Sequence, residues 1–259
     1  MERIIKTTIQ VGNSTGVLLP KEWENRMVEV KLLEPTLENI MEDVMKILIK
    51  HKYILDVIGV YLVGSYARDD YDENSDIDIL VITNNVNASL EENNYSLNLM
   101  SKSNLEKELA NNPLHIYPMI YEALPLVNSD LIEEYKDYKI NKKGIITFLK
   151  ETEKMIKMSE KSINIAKKLN EDKVGDASAY SLILRVRALY IIECLLKEKK
   201  WSKRGLLDII NNLNIKRVYD RYVISKRSEI KSIKNTILVS DAEKIINYLK
   251  DKINKIKNE

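Results

Sequence analysis

Gly64, Ser65, Arg68, Asp76 and Asp78 fall in one short stretch, and their types and spacing suit the binding of a polyphosphate beside a divalent cation. Gly64 and Ser65 close the apolar run Val57–Val63. A strand that ends in glycine and serine and opens a short helix offers backbone N–H groups and a hydroxyl to an anion, with no Cβ to hold phosphate oxygens away. Asp76 and Asp78 flank Ile77 at the start of a second apolar run. On a strand they project from one face while Ile77 and Ile79 turn to the other. Two convergent carboxylates are hard oxygen ligands for Mg²⁺ or Mn²⁺, whose shell is completed by water and by phosphate oxygens of the substrate. Arg68 either contacts phosphate or pairs with Asp69, Asp70 or Asp76 to fix the loop.

These side chains need a sheet to hold them. Val57–Val63 and Ile77–Val81 read as neighbouring buried strands, and Tyr95–Met100 as a third. An edge strand protected by charge would also explain Asp76 and Asp78, but Ile77, Ile79, Leu80, Val81 and Ile82 are too apolar for an edge. Thr36 is an N-cap for an amphipathic helix carrying Leu37, Ile40, Met41, Val44, Ile47 and Leu48 on one stripe. Lys102–Ala110 is a further helix, and Pro113, Pro118 and Pro125 punctuate the chain beyond it. From about residue 142 the period is helical, with helices expected at Thr147–Leu169, Ala177–Lys197, Ser202–Leu213 and Asp241–Lys257, which a bundle would bury. Residues 1–35 are different: β-branched Ile4–Val11, turn residues Gly12–Gly16, then Val17–Leu19 and an alternating Met27–Leu33. The reading is an α+β chain with a short N-terminal β segment (1–35), a sheet domain (36–140) and a basic helical bundle (141–259).

The charge is divided along the same lines. The 259 residues carry a net formal charge of +2, which resolves into 0 over 1–35, −11 over 36–140 and +13 over 141–259. An acidic middle suits cations. A basic tail faces something anionic, such as nucleotide phosphate or RNA, or is a solvated lysine-rich surface. Hydrophobic content of 44% supports a sizeable core. The single Cys194 can form no internal disulfide, and with no secretory leader this points to the cytoplasm. No apolar run approaches the roughly 20 residues that cross a bilayer.

Gly64-Ser65 followed by Asp76-Ile77-Asp78 resembles the nucleotidyltransferase superfamily of DNA polymerase β, and Gly-Ser-Tyr-Ala-Arg is most similar to its minimal prokaryotic branch. The resemblance implies a polymerase-β-like sheet with flanking helices. It implies that Gly64 and Ser65, with Arg68, hold the phosphates of a nucleoside triphosphate (NTP), while Asp76 and Asp78 hold Mg²⁺ and serve catalysis. An acceptor hydroxyl of a protein, an RNA or a small molecule then attacks the α-phosphate and pyrophosphate leaves. Two metals flanking an in-line displacement stabilise both the entering and the leaving oxygen.

The chain departs from that pattern once. The family places a third carboxylate on a later strand, where Tyr95–Met100 offers Ser96 and Asn98. Glu91, Glu92, Glu106 and Glu108 are nearby acids whose positions suggest loop or helix surface. The departure raises a second reading, a weak or silent nucleotide-binding regulator, antitoxin-like and dimeric. Val11–Trp23 is similar to the AbrB/MazE-like swapped hairpin, which implies dimerisation through residues 1–35 and, in that family, DNA binding; the zero net charge of the segment favours dimerisation. The helical tail is similar to bundles that follow such transferase domains, among them HEPN ribonucleases, but no histidine follows Arg185 and Arg187 as that nuclease signature requires. His51 and His115 have no metal-ligand spacing and read as core or surface residues. Arg185 and Arg187 either face the cleft or pair with an acid such as Glu193. Tyr180, Tyr190, Trp201, Tyr219 and Tyr222 read first as core, with base stacking as the other use.

Overall fold

A computed structural model describes residues 4–30, 35–72, 75–140, 142–227 and 235–258. The chain divides into two compact units, Met1–Ile40 and Met41–Glu259. In the first, β1 (Ile9–Val11) and β2 (Ser14–Gly16) form an antiparallel hairpin, and Gly12 takes φ +59° in its turn, a conformation glycine adopts without strain. The strand expected at Met27–Leu33 is not found: residues 27–30 are irregular, and residues 31–33 lie outside the described residues.

Helix α1 (Leu37–Lys50) opens as expected, the Thr36 hydroxyl accepting from the Asn39 N–H at 3.2 Å. The sheet that follows contains β3 (Val57–Val63), β4 (Ile77–Thr83), β5 (Ala88–Glu92), β6 (Tyr95–Ser101) and β7 (Leu124–Val127), with the short helix α2 (Gly64–Ala67) between β3 and β4. Its order is β5-β6-β4-β3-β7, with β4 and β6 parallel and the other pairs antiparallel. The apolar runs are thus the inner strands. β4, which carries Asp78, has a partner on each side, which removes the edge-strand explanation of its charge.

The two edge strands were not expected from sequence. β5 carries Glu91 and Glu92, and β7 carries Pro125, the charged and proline residues that edges tolerate and that weaken a strand signal. Glu91 and Glu92 therefore sit on a strand, not in a loop or on a helix. Helices α3 (Lys102–Asn111), α4 (Pro113–Glu122) and α5 (Ser129–Lys136) cover the face bearing Val63, Leu80 and Ile82 with buried Leu105, Leu109, Ile116, Ile120 and Ile132. Proline marked punctuation at 113 and 118, yet both residues lie in α4; Pro113 fits the first turn because its missing N–H would be unpaired there anyway, whereas Pro118 lies inside the helix. On the other face, Tyr95 donates to Asp43 of α1 at 3.1 Å.

The C-terminal part contains α6 (Lys142–Lys168), β8 (Lys173–Gly175), α7 (Asp176–Leu196), α8 (Lys203–Asn212), α9 (Lys216–Arg227), β9 (Asn235–Leu238) and α10 (Val239–Asn258). α7 buries Leu182, Ile183, Val186, Leu189 and Ile192 in a core shared with α6, α8, α9 and α10. α9 was not expected, because its basic sequence hides the buried Val218 and Tyr222. Part of the basic surplus is held in cross-helix pairs: Lys167 with Glu243, Lys250 with Glu160 and Lys257 with Glu153, each at 2.6 Å. No helix of the described residues is long and apolar enough to cross a membrane.

Candidate functional site

The site begins where β3 hands over to α2. Val63 is the cross-strand partner of Asp78, so the aspartate emerges beside the corner at which the chain turns through Gly64. Gly64 has φ +74°, and a Cβ built on it would fall on the Asp78 carboxylate. Glycine is required here twice, for the backbone conformation and for the approach of Asp78. Gly64→Ala is expected to lose about 1–2 kcal/mol from the left-handed conformation alone and to displace Asp78. Chemical denaturation measures the first effect, and Mg²⁺-dependent nucleotide binding by thermal shift measures the second.

Ser65, Asp76 and Asp78 line one cavity of about 730 Å³. Asp76 is exposed at its rim and Asp78 half-buried. The facing wall is helical: Arg187 and Tyr190 of α7, Trp201, Lys203 at the start of α8, and Tyr219 and Tyr222 of α9. Arg187 forms no ion pair among the described residues and adds a positive charge opposite the acids. Arg185 lies elsewhere, over the Phe148 ring at 5.7 Å, while Glu193 holds Lys197 and Lys252. The two arginines thus divide between cavity and packing, and neither takes Glu193. Of the aromatic set, Trp201 and Tyr222 are buried yet reach the cavity, so one ring serves both packing and lining. The Tyr180 ring lies tilted against Tyr222, with centroids 5.4 Å apart and ring planes 35° from parallel. His51 pairs with Glu92 at 3.1 Å and His115 is exposed on α4.

Arg68 is turned toward acids. Its guanidinium donates to Asp70 through Nη2 at 3.0 Å and to Glu122 through Nη1 at 2.6 Å. Burial opposes its charge, and Glu122 and Asp70 outweigh that, so its pKa stands above the ordinary value. Asp70 also accepts the Lys203 backbone N–H at 2.6 Å, and Asp72 accepts from the Lys203 ammonium. The loop after α2 is thereby tied to the start of α8.

Glu122, at the end of α4, escaped the sequence reading and is the hub of this corner. Its Oε1 accepts the Gly64 N–H at 2.7 Å, and its Oε2 accepts from Arg68 and, at 3.1 Å, from the Trp201 indole. The Gly64 amide, one of the groups expected to meet phosphate, donates to this carboxylate. Burial lifts the Glu122 pKa above the usual carboxylate value, with Arg68 and the Gly64 amide opposing the rise. The available signal was a lone acid closing the apolar helix Leu114–Tyr121, since a charge in such a setting needs a partner.

The row through Asp78 continues across the sheet. Its partner on β6 is Ser96, and the partner of Ser96 on β5 is Glu91; the Ser96 hydroxyl donates to Glu91 at 2.9 Å. Asn98 lies one row deeper, beside buried Leu80. Among the described residues no group of three or more histidine, cysteine or acidic side chains is arranged to hold a metal. The two cavity aspartates fit a hard cation that takes the rest of its shell from water and substrate phosphate.

Comparison with known proteins identifies the family of the chain. Residues 41–239 match the family model of the nucleotidyltransferase domain. A Methanocaldococcus jannaschii protein that carries the name of a protein adenylyltransferase is 32% identical over 81 residues, 31% of this chain and 74% of that protein. Two solved structures are similar at low identity. One is a nucleotidyltransferase-like protein from Exiguobacterium sibiricum, 14% identical with a TM-score of 0.37, over 83% of this chain and 75% of that one. The other is a spectinomycin adenyltransferase from Enterococcus faecialis solved with ATP and spectinomycin, 15% identical with a TM-score of 0.44, over 85% of this chain and 100% of that one. The family model alone reaches from α1 to the first residue of α10, and on that match the chain belongs to the nucleotidyltransferase domain family.

Proposed function

We propose that the protein is a metal-dependent nucleotidyltransferase that moves a nucleoside monophosphate from an NTP to a hydroxyl acceptor and releases pyrophosphate. The observation that carries this reading is that Ser65, Asp76 and Asp78 line one cavity, with Asp78 laid against Gly64. Asp76 and Asp78 would hold Mg²⁺ or Mn²⁺, which would draw charge from the phosphates. Ser65 would donate to a phosphate oxygen, and Arg187 would face the polyphosphate from the helical wall. Arg68 acts through its contacts, holding the loop with Asp70 and Glu122. A reducing, cytoplasmic setting suits the buried thiol of Cys194.

The test is incubation with each of the four α-labelled NTPs and Mg²⁺ in a cell extract. A labelled acceptor is expected with the wild-type chain and none with Asp76→Asn or Asp78→Asn; equal labelling by all three overturns the reading. Ser96 beside Asp78 favours a second reading, a regulator that binds nucleotide without turnover. Mg²⁺-dependent stabilisation by NTP with no pyrophosphate release would select it.

The N-terminal unit supports association of two chains. Ile5, Val11, Leu18 and Val30 are each more than half exposed, and a second copy of the hairpin unit would cover them. Light scattering is expected to give twice the 30.1 kDa chain mass, and Leu18→Glu to return it to one chain.

A further inference from the structure

We propose that Glu91, on the edge strand β5, takes the proton from the acceptor hydroxyl; this rests on the transfer reading above. A carboxylate that ligates a cation is a weak base, because the cation stabilises its negative charge, so a hydroxyl nucleophile is better served by a separate proton acceptor within reach. The sheet supplies one by register. Asp78, Ser96 and Glu91 form one row across β4, β6 and β5, and directly paired residues share a face. Adjacent strands stand about 4.8 Å apart, so the backbones of Asp78 and Glu91 are separated by roughly 10 Å, with Ser96 as the residue between them in the row. The Ser96 hydroxyl donates to Glu91 at 2.9 Å and so holds the carboxylate over β6, on the Asp78 side of its own strand.

Two of the other nearby acids are engaged. Glu92 belongs to the opposite face, where Lys50 at 2.7 Å and His51 at 3.1 Å hold it, and Glu106 accepts from Tyr135 at 3.1 Å. Glu91 forms no ion pair among the described residues, and its side chain accepts from the neutral Ser96 hydroxyl.

In the step, the acceptor O–H gives its proton to Glu91 as the acceptor oxygen bonds to the α-phosphorus. The bond from that phosphorus to the bridging oxygen breaks, and its electron pair leaves on pyrophosphate. Glu91 then returns the proton to solvent. Ser96 is a positioning residue that keeps the carboxylate in place.

The experiment measures pyrophosphate release from ATP, GTP, CTP and UTP with Mg²⁺, water serving as the acceptor, alongside Mg²⁺-dependent thermal stabilisation by the same nucleotides. Glu91→Gln is expected to lower turnover about 100-fold with nucleotide stabilisation unchanged. The deficit should narrow as the pH rises and hydroxide replaces the lost base, and Ser96→Asp added to Glu91→Gln should restore turnover. Wild-type turnover in Glu91→Gln, with Asp78→Asn inactive, overturns the role of Glu91 and leaves the transfer reading standing. Loss of nucleotide stabilisation in Glu91→Gln also overturns it, because the side chain would then serve metal or nucleotide binding. A wild-type chain that releases no pyrophosphate and labels no acceptor overturns both.

Discussion

Asp78→Asn is expected to slow nucleotidyl transfer about a thousandfold, equivalent to about 4 kcal/mol of transition-state stabilisation, while the chain remains folded. Asparagine keeps the size of the side chain and the fit against Gly64, so what is removed is charge. A neutral amide is a poor ligand for a hard divalent ion, and that ion would offset the negative charge that develops as the α-phosphate is attacked. Asp76→Asn should act in the same direction through the rim ligand. Pyrophosphate release measures the loss, circular dichroism verifies the fold, and Mg²⁺-dependent stabilisation by NTP should fall with activity. Turnover within tenfold of wild type in Asp78→Asn would exclude this carboxylate from metal-assisted chemistry.

Glu122→Ala is expected to cost about 3 kcal/mol of stability, the low end for breaking a buried ion pair, because Asp70 still partners Arg68. The Arg68 and Glu122 side chains are only 15% and 9% exposed, so the guanidinium would lose one anion inside the protein. The Gly64 amide and the Trp201 indole would lose their acceptor in the same change. Glu122→Gln keeps an acceptor oxygen and should cost less. The pH dependence has a definite sign. The folded-state pKa of Glu122 is raised, so the folded chain holds this proton more tightly than the unfolded one. The contribution of this group is therefore most favourable below the unfolded carboxylate value and is lost as the pH rises toward the folded one. The stability difference between wild type and Glu122→Gln, followed by thermal denaturation across that window, should shift against the wild type as pH increases. A difference that stays flat would mean that Glu122 titrates alike in both states.

The inner strands and the Gly64–Asp78 corner were legible because they are local: an apolar run, a glycine-serine turn and an alternating pair of acids lie within one stretch. The helical wall was legible only in part. Periodicity gave α6, α7, α8 and α10, but α9 is too basic to show an apolar stripe. The edge strands β5 and β7 were obscured by the acids and proline that suit an edge. Glu122 and the register of Glu91 were invisible for another reason. Their roles come from contacts with Gly64, Arg68, Trp201 and Ser96 that only the folded arrangement creates, and no spacing rule connects position 64 with 122 and 201.

The bond from Glu122 to the indole of Trp201 makes the hollow a joint product of distant parts of the chain. Cutting the polypeptide between α5 and α6 would leave the aspartates in place but strip away the opposing wall, with the tryptophan that leans on Tyr121 at 5.4 Å. Any molecule that tilts α8 on docking also pulls, through Lys203 and Asp70, on the bend that carries Ser65. A tilt of α8 and a shift of the bend that carries Ser65 are therefore mechanically one event.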